Sequence, residues 1–596
     1  MPEETVNCAQ VVARVLKEEG VEYIFGVGGG SIFPIMMAAS EVGIQIVHMR
    51  HEQAASFAAD AYARAGRRPG VCFLFGGPGF ANASNGIAQA YYSKSPVIAL
   101  VGQHATLTDF RGASAASWAT EDCHRFTRWS VRIIEDRIAA YLTKRAFAEA
   151  TTYPPGPVVV EIPENVQIRR RNLQEQRSYL PGYLSGPLVG GGGDPQACAQ
   201  AVEMLLRAAR PAIVAGEQAY WEDAAPEVRE LAEALNVPVI TRRLARGAVS
   251  EEHPLAFAGR VRGQVLRGTD VVLLVGLNLG YLEDFGRWGG KTRFIQIHST
   301  AREVERAVPT EMAMLGNSKQ ILRQMVESAR QHKEVPSRRE WLDHIDGLKK
   351  TENQRLGQEA QKVRSHRPIH PAYLGQAILE VLNDDATVIF DAFTGSAFVT
   401  ERVRSHHPGL VLDTGEWITV GHGVGMGVGA QLARPGKQVF VMMGDGGMGI
   451  GGFDVETAVR YKLPVVYLVN NNSSWLSREV DYFIGDRFLL PGGQKGHPGL
   501  LTPTRYDQLF AAMGCHVERV EDPEDIRPAL CRCLESGKTS VMDVVVDREV
   551  DHPMIARGGP GHRWVGPEHM PELGRRLAFP ELYPQPQKPE AKGDAA

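Results

Sequence analysis

The stretch QVFVMMGDGGMGIGGFDVETAVRYKLPVVYLVNNN, residues 438–472, decides the fold. It opens on an apolar run, VFVMM, and turns at Gly444-Asp445-Gly446. It continues through a helical segment, FDVETAVRYK, and closes on a second apolar run, PVVYLV, before Asn470-Asn471-Asn472. Two short apolar strands joined by a helix read as a parallel strand-helix-strand unit, hydrophobic throughout because both faces of the sheet are covered. The two carboxyl ends then lie side by side, at the edge where such sheets bind ligands. Asp445 brings a carboxylate oxygen to that edge, and Asn472, 27 residues on (472 − 445), an amide oxygen. Oxygens of this kind suit Mg2+ or Ca2+. A cation held by them can bridge a diphosphate whose other oxygens face glycine N–H groups and a helix N-terminus. A GDG turn or an Asn-rich turn alone is common; the pair at this spacing carries the information.

Working outward, the same alternation fills most of the chain. Before it stand YIFGV, IQIVHM, GVCFLF, PVIALVG and VVVEIPENV (between 23 and 166), then PAIVAGEQA, VPVITRR, VVLLVGLN and RFIQIHS (between 211 and 299). TVIFDAF (387–393) and SVMDVVVDRE (540–549) flank the deciding stretch. Strands alternating with helices predict an α/β protein of three doubly wound parallel-sheet domains, at 1–183, 196–332 and 367–550, with a C-terminal tail at 551–596. The Gly/Pro-rich LSGPLVGGGGDP (184–195) reads as a linker and the charged residues 333–366 as a helical connector on the surface. The tail, with Trp564, Phe579, Leu582 and Tyr583, reads as a lid or docking segment over the site.

At 596 residues with 43% hydrophobic and 22% charged, the chain buries several cores and is not disordered. A formal net charge of −4 gives no electrostatic reason for nucleic-acid binding. No apolar run reaches membrane-spanning length. The opening MPEETVNCAQVV has no signal-peptide pattern, and the seven cysteines form no CxxC pair, so a reducing, cytoplasmic setting is expected. The loop Gly26-Val27-Gly28-Gly29-Gly30 is an incomplete dinucleotide fingerprint, with Phe33 where a third glycine belongs.

GDG followed by NN at this spacing resembles the signature of thiamine diphosphate-dependent enzymes. Two further stretches of residues 1–550 resemble that family in the same order. One is Arg50-His51-Glu52-Gln53-Ala54-Ala55. The other is Gly77-Pro78-Gly79-Phe80-Ala81-Asn82, continuing through GIAQAYYSKSPVIALVGQ to Gln103. The resemblance implies thiamine diphosphate and Mg2+ as cofactors. It makes Glu52 the catalytic carboxylate, bonded to the aminopyrimidine and exchanging the proton that lets the cofactor's C2 deprotonate. Asp445, Asn472 and the Ser474 carbonyl would be the metal ligands. Gly28, Gly77, Asn82, Gln103, Thr394, Gly395, Val420, Gly444, Gly446, Gly447 and Asn472 would line the cofactor, Val420 as the apolar wedge beneath it. It also implies a homodimer as the minimum active unit, with Glu52 and the diphosphate site on different subunits, and a homotetramer as the expected assembly.

Within the family, LARGAV (244–249) with the following EEHPL, VVLLVGLNLGYLEDFG (271–286) and GFDVETAVRYKLPV (452–465) resemble the 2-hydroxyacyl-CoA lyase and oxalyl-CoA decarboxylase branch. That implies a CoA thioester substrate and a middle domain that takes ADP, CoA or FAD, with Arg242, Arg243, Arg246, Arg260 and Arg262 serving phosphates. The favoured activity is 2-hydroxyacyl-CoA lyase, yielding formyl-CoA and an aldehyde or ketone, and the reverse condensation. The alternative is an acetolactate synthase-like 2-oxoacid ligase or an oxalyl-CoA or 2-oxoacid decarboxylase. The chain departs from the family pattern at GVGGG (26–30), at Ala115 where a glutamine is expected, at His298-Ser299 where an Asp is usual, and at DAFTGS (391–396).

Overall fold

The computed structural model describes residues 5–172, 190–392, 395–475, 488–493, 495–496 and 499–550. Thr394, expected at the cofactor, and the tail at 551–596, expected as a lid or docking segment, lie outside the described residues, as do residues 184–189 of the linker.

Three parallel sheets form, each from the alternation read above. The first has six strands in the order β3-β2-β4-β5-β7-β6. They are β2 (Tyr23–Gly26), β3 (Gln45–His48), β4 (Gly70–Phe75), β5 (Val97–Gln103), β6 (Trp129–Arg132) and β7 (Val158–Pro163). A small antiparallel pair, β1 (Thr5–Asn7) with β8 (Arg170–Asn172), ties the ends of this domain together. The middle sheet has five strands in the order β10-β9-β11-β12-β13: β9 (Pro211–Ala215), β10 (Val239–Thr241), β11 (Val271–Val275), β12 (Arg293–His298) and β13 (Met312–Leu315). The third has six in the order β15-β14-β16-β17-β21-β20: β14 (Thr387–Phe390), β15 (Val411–Leu412), β16 (Val439–Gly444), β17 (Val465–Asn471), β20 (His516–Val520) and β21 (Ser540–Val545). A short antiparallel pair, β18 (Phe488–Leu489) with β19 (Lys495–Gly496), lies in the chain between β17 and β20.

Within the three parallel sheets, the four strands that hydrophobic pattern did not single out, β6, β13, β15 and β20, are all edge strands. An edge strand is covered less completely, so its sequence need not be apolar throughout: WSVR of β6 and HVERV of β20 are mostly half-buried.

Helices are numbered here where they bear on the site. Helix α1 (Glu52–Gly66) follows β3, and α2 (Pro78–Tyr92) follows β4. The expected connector is α3 (Arg339–Lys362). It is not a free surface helix: Trp341 and Ile345 enter the middle domain's core and Ala360 the third domain's. In the third domain, α4 (Pro371–Leu379) precedes β14, and α5 (Gly423–Ala433) leads into β16. Helix α6 (Asp445–Gly451) and helix α7 (Val455–Arg460) lie between β16 and β17, and α8 (Ile526–Glu535) lies between β20 and β21.

Helices α1 and α5 bring the first and third domains together. A Cβ on Gly425 would meet the Ala54 carbonyl oxygen at 2.5 Å, and one on Gly429 the Ala58 carbonyl oxygen at 1.9 Å. The glycines therefore allow the two backbones to touch, and the alanine-rich face of α1 completes a joint core with Val424, Met426 and Val428.

Candidate active site

The deciding stretch folds as the spacing requires. Strands β16 and β17 are adjacent and parallel, with Gly444 opposite Asn470. Asp445 opens α6 and is 2% exposed. Its Oδ2 accepts from the Ser474 amide at 3.1 Å, and the same amide donates to the Asn472 Oδ1 at 3.1 Å, so the two oxygens gather at one backbone N–H. Its Oδ1 accepts from the Gly446 amide at 2.9 Å. Burial pushes the Asp445 carboxyl up to about 6, while the amides of Gly446 and Ser474 favour the anion. Among the described residues no Lys or Arg pairs with it, and no cluster of three or more His, Cys, Asp or Glu side chains is placed to hold a metal. A buried carboxylate with no Lys or Arg partner among the described residues, beside an amide oxygen and the Ser474 main chain that a bridge to Leu500 holds in place, is a donor set that fits Mg2+.

The surroundings hold this loop in place. Tyr506 donates its hydroxyl to the Asp445 carbonyl at 3.0 Å. Asn471, the neighbour of Asn472, is structural: its amide nitrogen donates to Asp543 at 2.8 Å and to the Thr504 carbonyl at 3.0 Å. Gly446 lies against Trp475, where a Cβ would approach the ring to 2.9 Å. Gly421, at φ +83°, faces Ile450 at 2.8 Å and the Gly447 carbonyl at 3.2 Å in the same sense, which brings the loop of half-buried Val420 beside the GDG turn. Buried Asp391 fixes that loop by accepting from the amides of Gly421 at 2.9 Å and Gly423 at 2.8 Å. Gly395 is buried nearby in sequence, after the two residues left undescribed.

A second group gathers at the carboxyl edge of the first sheet. Glu52 begins α1 and is half-buried; its Oε2 accepts from the Asn82 amide at 3.0 Å. Gly79 lies beneath it, where a Cβ would come within 3.2 Å of Oε1. Gly77, at φ +57°, donates its amide to Ser117 Oγ at 3.1 Å. Gln103, fully buried at the end of β5, donates to the Ser117 carbonyl at 2.8 Å and hydroxyl at 3.0 Å. The Gly28 amide is occupied by His48 Nε2 at 3.1 Å, so its nitrogen is already satisfied within the domain. Thus Glu52, Gly77, Asn82 and Gln103 share one edge; Gly444, Asp445, Gly446, Gly447, Asn472, Ser474 and Val420 share another. Asn82 is the only polar partner of Glu52 among the described residues.

Sequence reasoning missed Asp391, Tyr506 and Ser117, since a lone Asp, Tyr or Ser without a motif has no spacing to identify it. It also missed a polar chain running from Gln103. His104 Nδ1 faces Gln103 Oε1 at 3.0 Å and its Nε2 faces Asp109 at 2.9 Å. Asp109 in turn accepts two bonds from Arg132, at 2.9 and 2.7 Å, and these hold its carboxyl below the usual carboxylate range.

The middle-domain arginines are corrected by the structure. Arg242 and Arg262 both bind Glu283, Arg246 binds Glu251, and Arg260 binds Glu401. Arg242, Arg246 and Arg262 are thereby committed within the middle domain and Arg260 to the third, because burial obliges each charge to find a partner. Arg243 alone of the five reaches the 710 Å3 cavity between the first and middle domains, and it pairs with Glu217 and Asp413. That cavity instead takes Lys94, from the stretch GIAQAYYSKSPVIALVGQ, and Arg125, Arg128, Arg302 and Arg306 from segments without a motif. Its floor carries polar atoms with no partner, including Asn278 Oδ1 and Glu217 Oε2. His298, behind it, is held neutral: burial, then the Lys94 charge, pulls its imidazole down to about 4.

Comparison with known proteins agrees with this geometry. Three models of the thiamine pyrophosphate enzyme family match: the N-terminal TPP binding domain over residues 6–117, the central domain over 198–325, and the C-terminal TPP binding domain over 394–544. A probable acetolactate synthase of Mycobacterium bovis is 29% identical over 564 residues, covering 93% of this chain and 98% of the relative. The 2-hydroxyacyl-CoA lyase 2 of Homo sapiens is 30% identical over 509 residues, 78% of this chain and 79% of the relative. The oxalyl-CoA decarboxylase of Escherichia coli is 25% identical over 544 residues, 90% and 94% of the two chains.

Proposed function

The chain belongs to the thiamine pyrophosphate enzymes, and from that premise we propose that it is a Mg2+-dependent lyase or carboligase of C–C bonds whose favoured substrates are 2-hydroxyacyl-CoA thioesters. The observation that carries the reading is the gathering of the Asp445 and Asn472 oxygens at one backbone N–H. Asp445, Asn472 and the Ser474 carbonyl would hold Mg2+, with Gly444, Gly446 and Gly447 next to the diphosphate. Bound there, thiamine diphosphate supplies an electron sink for breaking or forming a bond beside a carbonyl. Glu52 would exchange the proton with the cofactor, and the Asn82 amide, donating to its Oε2, fixes the direction in which that carboxyl points. Val420 and Gly395 would line the cofactor, and the polar, partly unpartnered cavity around Lys94 supports a place for ADP, CoA or FAD.

A homodimer, assembled further into a homotetramer, is part of the proposal. Ile450, Phe453 and Trp475 are 46%, 63% and 46% exposed at the rim of the Asp445 site, an apolar edge that a second copy bringing its Glu52 would cover. A cytoplasmic setting is supported by seven free cysteines. Among the described residues no helix is long and apolar enough to cross a membrane.

The test is a panel assay on purified protein supplied with thiamine diphosphate and magnesium. Release of formyl-CoA from 2-hydroxyacyl-CoA esters is the expected outcome. Activity confined to pyruvate would replace it with 2-oxoacid ligation, and turnover of oxalyl-CoA alone with decarboxylation; the similar identities of the three kinds of relative favour keeping both in the panel.

A further inference from the structure

The connector helix α3 meets α4 and α8 of the third domain along a groove of 490 Å3 whose lining shares no residue with the thiamine site. Four arginines, Arg364, Arg402, Arg404 and Arg527, line it, against one lining carboxylate, Glu380. Arg527 pairs with Glu380, and Arg364 reaches Glu524 only at 4.0 Å. Arg402 is 4% exposed; it donates to the Phe398 carbonyl at 2.7 Å and to Glu359 at 2.8 Å, yet its buried Nε has no partner. Arg404 donates to the Glu401 carbonyl at 3.0 Å and to Asn353 at 3.2 Å, and among the described residues it has no carboxylate within ion-pairing distance. Burial, and the neighbouring Arg246 charge, pull its guanidinium below the usual range.

Counted against Glu359, Glu380 and Glu524, the four cations still leave Arg404 without a counter-charge. An idle buried N–H, as on Arg402, and a half-buried guanidinium without an ion pair, as on Arg404, are each costly. Protein interiors keep such groups when something else completes them. Guanidinium groups are matched in shape and charge by phosphate and carboxylate oxygens. The lining is partly apolar, with Leu356 of α3 and Tyr373 of α4, and the volume falls in the range that small organic ligands occupy.

We propose that this groove binds a small organic anion bearing phosphate or carboxylate groups, at a site separate from the thiamine cofactor. The site depends on this chain's own arginines and stands whichever substrate the enzyme turns over.

The experiment uses the holoenzyme, saturated with thiamine diphosphate and Mg2+ so that the diphosphate site is filled. Phenyl phosphate and phthalate are titrated separately by calorimetry. Saturable binding of at least one probe at one site per chain is expected, and the probe that binds more tightly assigns phosphate or carboxylate chemistry. Arg404→Gln should weaken that binding by at least about tenfold, ~1.4 kcal/mol, while Arg207→Gln, on an exposed helix elsewhere, should leave it unchanged. If Arg404→Gln fails to fold, the double variant Arg364→Gln/Arg527→Gln, at two exposed positions, should show the loss. Absence of saturable binding by both probes, or binding that survives the groove variants, overturns the proposal.

Discussion

Asp445 is the residue on which the site turns. It is buried, has no Lys or Arg partner among the described residues and is held by main-chain amides, one of which, at Ser474, it shares with the Asn472 amide oxygen. Asp445→Asn keeps the shape and removes the charge. It should weaken cofactor binding in the presence of magnesium by about 100-fold or more, ~2.7 kcal/mol. Quenching of tryptophan fluorescence during cofactor titration, with Trp475 against Gly446, measures it; unchanged affinity would remove Asp445 from the metal site. His298 gives a test of a different kind. Its imidazole lies at about 4 in the folded chain, below the ordinary value, so the unfolded chain takes up the proton first. Its contribution is present above about pH 6.5 and is lost as pH falls toward 4, up to about 3 kcal/mol. The stability advantage of wild type over His298→Leu should therefore shrink across that interval, as read from denaturation midpoints at each pH. His370, also pulled down to about 4, acts in the same direction in both proteins and cancels from the difference.

Among the elements, the crossing of α1 and α5 positions both halves of the site. Glycine to alanine inside a helix ordinarily stabilises by up to about 1 kcal/mol. At Gly429 the sign reverses, because the added carbon would lie 1.9 Å from the Ala58 carbonyl and the helices must separate. Gly429→Ala should cost about 2–3 kcal/mol and lower the thermal midpoint. Gly347→Ala, in α3 with nothing within 4 Å, should raise it slightly. Equal effects at the two positions would mean that the close approach is not what the glycines serve.

For the whole molecule, the arrangement of Glu52 and Asp445 is the question. Glu52→Gln should keep cofactor binding and lose turnover by about 10^2- to 10^4-fold, and Asp445→Asn should lose cofactor binding. If each site takes Glu52 from one subunit and Asp445 from another, a mixed dimer of the two variants rebuilds one intact site. Unfolding and refolding an equal mixture should then return about a quarter of wild-type activity. A mixture as inactive as its components would place both residues' work within a single chain.

Much of this was legible in the sequence, for a physical reason. A buried parallel sheet demands apolar runs, and a strand-helix-strand unit of fixed length demands that Asp445 and Asn472 meet; both requirements are local and leave a mark on spacing. The central strands of all three sheets were readable on that account, while β6, β13, β15 and β20, half covered at the edges, were not. Only the tertiary structure decided which cations are free. Arg242, Arg246, Arg260 and Arg262 look available in the sequence, yet Glu283 and Glu401, which pair with Arg242, Arg262 and Arg260, come from separate segments, and Glu251 reaches Arg246 from five residues on. Lys94, Arg402 and Arg404 look unremarked until the chain folds around them. Charge pairing depends on distances between remote segments, and sequence order does not record those distances.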